Sequence, residues 1–165
     1  MTGLLSKLSK GVQQAAGSAP SAYSASNPPA YIYKILPHHT VNPRYALPPV
    51  PIPASFEFPV SELDAADGFL HFSTTLQLAG TLNRFFADDK AVTLVKCDYP
   101  RLSGFKVVKW EQAGSGGVYP HLYAQLEGEN VEDVKELVRE ERGEGAEKAS
   151  WDGALEKAEA EGWLV

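Results

Sequence analysis

The side chains best suited to chemistry lie in three short apolar segments, YIYKIL, GFLHFS and YPHLYAQL, each with the composition of a β-strand. Side chains two residues apart in a strand point to the same face. Lys34 and His71 therefore each share a face with apolar neighbours, and His121 shares a face with Tyr123. If the three strands are neighbours, these four side chains line one cleft.

Two hydroxyl residues, Ser73 and Thr74, follow His71 at the start of TTLQLAGTLNRFF, whose apolar periodicity predicts a helix. Thr74 and Gln77 have the spacing of a capping box. The start of a helix also favours a bound anion, because its free N–H groups and its dipole attract negative charge. The two hydroxyls therefore have two compatible interpretations, as helix caps and as ligands of an anion.

Each candidate also has a purely structural interpretation. A single histidine in a strand is more often a hydrogen-bonded structural residue than a catalytic one, and a lone lysine in an edge strand normally faces water. Glu111 follows Trp110 and offers a carboxylate at a strand end, where an exposed, solvated side chain is the usual state. The functional interpretation depends on whether the three segments meet.

The sequence favours no metal site. Cys97 is the single cysteine, so neither an internal disulfide nor a cysteine metal cluster can form. It lies in the apolar segment AVTLVKCD and is expected to be inert core. His38 and His39 are adjacent in a proline-rich stretch, but no HExxH or related spacing accompanies them.

Length and composition indicate one ordinary domain of 165 residues, 44% hydrophobic and 22% charged. The net charge of −6 argues against binding to DNA, and no apolar run is long enough to predict a transmembrane helix. The first acidic residue is Glu57. We expect a cytoplasmic protein; the alternative is a mitochondrial one, if the acid-free N-terminal segment is a presequence.

The order of the predicted elements indicates an α+β domain and not a doubly wound parallel sheet. Strands are expected at the three segments above and at AVTLVKCD and FKVVKWEQ. Helices are expected at VSELDAADG, TTLQLAGTLNRFF and WDGALEKAEAEGWLV, and a helix or a strand-to-helix transition at VEDVKELVREERG. We expect a flexible or amphipathic tail over residues 1–29, the α+β domain over 30–142 and a helical extension over 143–165. The proline-rich residues 37–59 form either a packed surface loop or a lid.

Together, YIYKIL, SELDAADGFLHFSTTLQLAGTLNRFF, KWEQ and YPHLYAQL resemble the domain of unknown function 952 family, over roughly residues 30–140. That family resembles the ADP-ribosyltransferase fold, a split, mostly antiparallel β-sheet with a cleft for NAD between its halves. The resemblance implies a single α+β domain of this kind with flanking helices. It also implies NAD as the cofactor and a small-molecule nucleotide as the partner, and it leaves a protein acceptor unspecified.

In enzymes of that fold, the first core strand supplies a basic residue that holds the nucleotide, and the second supplies a hydroxyl-rich segment. A later strand supplies a catalytic glutamate. In this chain that later strand offers His121, and the nearest glutamate, Glu111, lies on the preceding strand. The resemblance thus implies His71, His121 and Glu111 as catalytic residues, and Lys34, Ser73, Thr74 and Tyr123 as ligand-binding residues.

The sequence therefore predicts a nucleotide cleft that binds NAD, or an ADP-ribosyl or phosphorylated group, and transfers or processes it. Breaking the bond between nicotinamide and ribose develops positive charge on the sugar, which a carboxylate stabilises and a neutral histidine stabilises poorly. Because the glutamate is displaced, the alternative is a non-catalytic nucleotide-binding or protein-interaction module.

Overall fold

Two three-stranded antiparallel sheets form the framework of the protein. The computed structural model describes residues 22–114, 116–141 and 149–165. In spatial order, the first sheet contains β1 (Tyr31–Pro37), β3 (Ala91–Asp98) and β6 (Asp133–Val138), and the second contains β2 (Leu70–His71), β5 (Gly117–Leu122) and β4 (Val108–Ala113). An α+β fold with a split antiparallel sheet, as predicted, is confirmed.

Within the described ranges, four α-helices accompany the sheets: α1 (Glu62–Asp67), α2 (Leu78–Phe85), α3 (Tyr99–Phe105) and α4 (Asp152–Ala160). Helix α1 begins where the Ser61 side chain accepts a hydrogen bond from the N–H of Asp64, and it ends at Gly68, whose φ of 79° is left-handed. None of the helices in these ranges is long and apolar enough to cross a membrane.

The segment after α1 joins the two sheets. His71 in β2 pairs with His121 in β5. Two residues later, Ser73 exchanges two backbone hydrogen bonds of 2.8 Å with Tyr33 in β1. The chain thus passes from one sheet to the other within a few residues, so the three predicted strands are neighbours.

Side chains on opposite faces of β1 enter two separate cores. Ile32 and Leu36 pack in a core that also contains Cys97. Tyr33 and Ile35 pack in a second core that contains Trp151, at the start of α4. The segment expected as a helical extension therefore contributes to a core shared with the sheet.

Lys34 is also buried, with 6% of its surface exposed. Although β1 is an edge strand of its sheet, Lys34 does not face water. The edge-strand interpretation of this lysine is therefore wrong.

One predicted element is corrected and one helix was missed. Within VEDVKELVREERG, Asp133–Val138 forms β6 and pairs with β3, so the prediction of a helix there is wrong and the strand of the alternative, a strand-to-helix transition, is present; tertiary pairing overrides a weak helical propensity. The helix α3 was not predicted, although its start signals are present: Asp98 accepts a hydrogen bond from the N–H of Arg101, and Pro100 lies in the first turn.

The helix after His71 begins later than its pattern suggests. Helix α2 starts at Leu78, and its N-cap is Gln77, which makes no capping hydrogen bond through its side chain. Ser73 and Thr74 therefore do not cap α2. The predicted pairing of Thr74 with Gln77 is present in part, because the Thr74 N–H donates to the Gln77 side-chain oxygen at 3.0 Å, which is one of the two hydrogen bonds of a capping box.

The proline-rich stretch is a packed surface loop. Phe58 is 4% exposed, and its N–H donates to the carbonyl of Leu126 at 2.9 Å. Gly128 lies so close that a Cβ there would stand 1.8 Å from the carbonyl oxygen of Pro53. Residues 1–21, which hold most of the predicted N-terminal tail, lie outside the described residues.

Candidate functional site

A cavity of about 580 Å³ opens between the two sheets. Apolar side chains from α1 and α2 form part of its wall, among them Leu63 and Phe85, which are respectively 60% and 65% exposed. Polar side chains from both sheets and from α2 form another part: Lys34, His71, Ser73, Arg84, Tyr119 and His121. The cavity therefore combines an apolar surface with cationic and hydrogen-bonding groups.

A buried ionic cluster lies on one side of this cavity. Asp64 on α1 is 2% exposed. Its Oδ2 lies 2.6 Å from the Nζ of Lys34, and its Oδ1 lies 2.6 Å from the Nδ1 of His71. The contact with Lys34 is an ion pair between two buried side chains. The Lys34 ammonium also donates to the carbonyl of His71 at 3.0 Å, which ties β1 to β2.

The charged groups of this cluster stabilise each other's ionised forms. Burial favours a protonated Asp64, but the hydrogen bond from His71 and the charge of Lys34 outweigh burial and lower the pKa of Asp64. Burial lowers the pKa of Lys34, against the attraction of Asp64. Asp64 therefore stays ionised at neutral pH. Its negative charge compensates part of the positive charge of Lys34 before any ligand binds.

A second histidine–carboxylate pair lies on the second sheet. The Nδ1 of His121 is 3.1 Å from Oε1 of Glu111, and the hydroxyl of Tyr123 donates to the same oxygen at 2.6 Å. The hydrogen bond from Tyr123 is the main cause that lowers the pKa of Glu111, and the same bond raises the pKa of Tyr123. Glu111 is thus an ionised acceptor that orients the imidazole of His121.

His121 is suited to accept a proton. Burial lowers its pKa, against the opposing hydrogen bond with Glu111, so the ring is neutral at pH 7. With Nδ1 directed at Glu111, Nε2 is the basic nitrogen. This Nε2 is buried and has no hydrogen-bond partner among the described residues.

The two histidines lie together in the wall of the cavity. Their ring centroids are 5.2 Å apart in an edge-on arrangement, and Phe69 stacks on His121 at 4.1 Å. The Nε2 of His71 lies 3.0 Å from Oδ2 of Asp67, whose side chain is 40% exposed. His71 is therefore bracketed by two carboxylates, whereas His121 has one carboxylate and one free nitrogen.

The structure brings most of the predicted site residues together, with different roles. Lys34, His71, Ser73 and His121 line the cavity, whereas Glu111, Thr74 and Tyr123 do not. Glu111 and Tyr123 lie behind His121, and Thr74 is 1% exposed. The hydroxyl of Ser73 is 3.4 Å from that of Thr81 on α2.

Sequence reasoning missed three residues of the site, Asp64, Arg84 and Tyr119. Asp64 lies on α1, which ends at Gly68, whereas His71 lies in β2, so the two residues meet only through the fold and helical spacing gives no signal for Asp64. For Arg84 and Tyr119 no local signal exists, because only the tertiary fold brings α2 and β5 to the same cavity.

Comparison with known proteins finds a family model that matches part of this chain. Residues 53–134 match the DUF952 family model. That family is described as "Protein of unknown function". The match spans just under half of the chain and includes Asp64, His71, Glu111 and His121, whereas Lys34 precedes it. The predicted resemblance to this family is confirmed over those residues.

Solved structures of one bacterial protein share the fold. The crystal structure of protein CC0527 from Caulobacter crescentus is 26% identical, with a TM-score of 0.56 over 76% of this chain and 98% of that chain. Its solution NMR structure is also 26% identical, with a TM-score of 0.54 over 74% and 92% of the two chains. No curated protein matches the chain. The resemblance to ADP-ribosyltransferases stays a prediction.

Proposed function

We propose that the cavity binds a nucleotide, in particular NAD or another ligand with an ADP-ribosyl or phosphorylated group. The observation that carries this proposal is the pair His71 and His121, which lie side by side in the cavity, each with Nδ1 directed at a carboxylate. Histidines oriented in this way are suited to hold and exchange protons with a ligand.

The composition of the wall supports a nucleotide over a purely apolar ligand. Phe85 and Leu63 offer an apolar surface for a base. Arg84, also in the wall, presents a guanidinium suited to phosphate. Ser73 and Tyr119 offer hydroxyls to a sugar. Such a division between apolar and polar contacts is typical of cofactor sites.

The two histidines suit different roles in the cavity. His121 is neutral and its Nε2 has no partner among the described residues, so it is the ring suited to accept a proton from a ligand hydroxyl that reaches it. Both ring nitrogens of His71 face carboxylates, Nδ1 toward Asp64 and Nε2 toward Asp67. His71 is therefore suited to orient a ligand in the wall of the cavity.

A non-catalytic nucleotide-binding module is the second candidate. The observation that favours it is that Glu111 does not line the cavity. Its carboxylate is engaged by His121 and Tyr123. Glu111 is then not placed beside the ribose as in the ADP-ribosyltransferase-like mechanism that the sequence implies, and the carboxylate in the cavity wall, Asp64, is paired with Lys34 and His71. In its most specific form, the first proposal is that the protein has an ADP-ribosyltransferase-like fold and turns over NAD.

Isothermal titration of the full-length chain with ADP-ribose, NAD, AMP and nicotinamide tests the binding proposal. We expect ADP-ribose and NAD to bind, and Arg84→Gln to weaken both by about tenfold or more, since a hydrogen bond to a charged group contributes roughly 1.5–3 kcal/mol. Arg101→Gln is the matched control, because Arg101 is exposed, pairs with Glu132 and lies outside the cavity.

Equal affinities of the Arg84 and Arg101 variants, or no binding of any nucleotide by the wild type, contradict the binding proposal. Release of nicotinamide from NAD, followed by chromatography, then separates the two candidates. Release that is lost in His121→Asn supports an enzyme, whereas tight binding without release supports the non-catalytic module.

A further inference from the structure

A cluster of two histidines and one glutamate lies at the end of the first sheet, outside the nucleotide cavity. The Nε2 of His38 is 2.9 Å from Oε1 of Glu136, and the Nδ1 of His39 is 3.7 Å from the same oxygen. The three potential ligand atoms all lie within 4.8 Å of one another. Two imidazoles and one carboxylate form a donor set that is common at zinc sites.

The fold creates this cluster from distant parts of the sequence. His38 and His39 follow Pro37, the last residue of β1, whereas Glu136 lies on β6 at the opposite edge of the sheet. In the central strand β3, Thr93 pairs with Leu36 on one side and with Glu136 on the other. The sequence favoured no metal site because the two histidines had no third ligand nearby in the chain.

Burial and a neighbouring hydroxyl fix the orientation of His38. This histidine is 7% exposed, and its Nδ1 lies 2.7 Å from the hydroxyl oxygen of Thr40. The N–H of Thr40 also donates to this Nδ1 at 3.3 Å, so without a metal Nδ1 is an acceptor and the proton on Nε2 is directed at Glu136 at 2.9 Å. Metal-binding histidines donate from their second nitrogen, and the Thr40 hydroxyl is placed to accept that hydrogen bond once the ring proton moves to Nδ1.

The remaining ligands are accessible from solvent. The side chain of His39 is 47% exposed and that of Glu136 is 58% exposed. Among the described residues, Glu136 forms no ion pair with a lysine or an arginine, so its charge is available to a cation. Zinc ligands at about 2.0–2.1 Å from the metal lie roughly 3.4 Å apart in a tetrahedron, which falls within the spread of this cluster.

We propose that His38, His39 and Glu136 bind one divalent transition-metal ion of the zinc type, with a fourth position open to water. The ion replaces the proton on Nε2 of His38, and that proton moves to Nδ1, where the Thr40 hydroxyl accepts it in a hydrogen bond. The metal links His38 and His39, which follow β1, to Glu136 on β6, and so connects the two edge strands at one end of the first sheet. Ligands of imidazole and carboxylate favour zinc over magnesium or calcium.

Isothermal titration of the full-length chain with zinc chloride, without a polyhistidine tag and after removal of metals by chelation, tests the proposal. We expect one equivalent of zinc to bind and to raise the melting temperature. His39→Ala and Glu136→Gln are expected to remove this binding, and both positions are exposed enough for the fold to tolerate the change. Thr40→Val is expected to weaken zinc binding by roughly tenfold or more, by releasing the His38 ring.

The controls are His71→Ala and His121→Ala, which leave the cluster intact and remove the other two histidines of the chain. Zinc binding that persists in both controls and disappears in His39→Ala and Glu136→Gln supports the site. Absence of zinc binding by the wild type at millimolar metal overturns it. Binding that survives His39→Ala and Glu136→Gln, or that is lost in a His71→Ala or His121→Ala variant whose circular dichroism spectrum is that of the wild type, also overturns it.

Discussion

Asp64 connects three elements through one carboxylate. From α1 it contacts the ammonium of Lys34 on β1, and it contacts both the ring Nδ1 and the backbone N–H of His71 on β2. Removing one partner from a buried charge cluster leaves the others without compensation, which is far more costly than losing an exposed ion pair. At the scale of single residues, the site therefore depends on Asp64 for its structure.

We predict that Asp64→Asn lowers the free energy of unfolding by about 3–5 kcal/mol. Asp67→Asn is the matched control, since its carboxylate contacts the same histidine but is 40% exposed, and we expect a loss of less than about 1 kcal/mol. Urea denaturation at pH 7 measures both values. Similar losses for the two variants would show that the cluster does not carry the stability assigned to it.

Individual site residues could be predicted from the sequence where a strand carried them. His71 and His121 could be predicted as site residues because a polar residue within an apolar strand is unusual. In the structure they pair directly across β2 and β5. The partners that define their chemistry were harder to predict. That Asp64 is buried depends on how α1 packs, which no local pattern specifies.

At the scale of elements, the loop over residues 37–59 and the turn at Gly128 support each other. The N–H of Gly128 donates to the carbonyl of Phe56 at 2.8 Å. The close approach of Pro53 leaves no room for a side chain at this position. The proline-rich loop is thus fixed by backbone contacts in addition to its buried aromatic side chains.

Gly128→Ala is predicted to destabilise the fold by about 1–3 kcal/mol, because the added methyl group must displace backbone atoms of Pro53. Gly104→Ala in helix α3 is the control, since a Cβ there meets no atom within 4 Å and alanine favours a helix. Thermal denaturation of the two variants gives the comparison. A Gly128 variant as stable as the wild type would mean that the loop is free to move.

The elements themselves were predicted unevenly, for physical reasons. Strands β1, β3, β4 and β5 follow from apolar runs of β-branched and aromatic residues. The segment of β6 contains many charged residues and has the composition of a helix, and only its register against β3 makes it a strand. Helix α3 has clear capping residues but is only seven residues long, so periodicity gave no signal for it.

For the whole molecule, the two-sheet arrangement has a consequence for its pH dependence. His121 is buried in the neutral form, and burial lowers its pKa in the folded state below the unfolded value of about 6.5. Below that pH, His121 is protonated in the unfolded chain but remains largely neutral in the folded protein. The contribution of His121 to stability is therefore fully present above about pH 6.5 and is lost as the pH drops toward its folded pKa.

We predict that the free energy of unfolding decreases between pH 7.5 and pH 5, and that His121→Asn makes this decrease smaller. The asparagine amide can still donate to Glu111 but does not titrate. His39→Asn, at an exposed ring, is the control and should keep the wild-type dependence when a chelator is present. Urea denaturation at several pH values provides the data, and an unchanged slope in His121→Asn would contradict the prediction.

A nucleotide bound in the cavity between the two sheets, as proposed, contacts His71 and His121. The four histidines of the chain form two groups: His71 and His121 in the cavity, and His38 and His39 at the end of β1. Their imidazole signals in a heteronuclear NMR spectrum can be assigned with single His→Gln variants. The second group then serves as an internal control for the first.

The most direct measurement is a titration of the full-length, metal-free chain with ADP-ribose, followed by these imidazole signals. We expect the signals of His71 and His121 to shift or broaden as the ligand binds, while those of His38 and His39 stay unchanged. Signals that all remain fixed at millimolar ADP-ribose, or shifts confined to His38 and His39, would contradict the proposed nucleotide site.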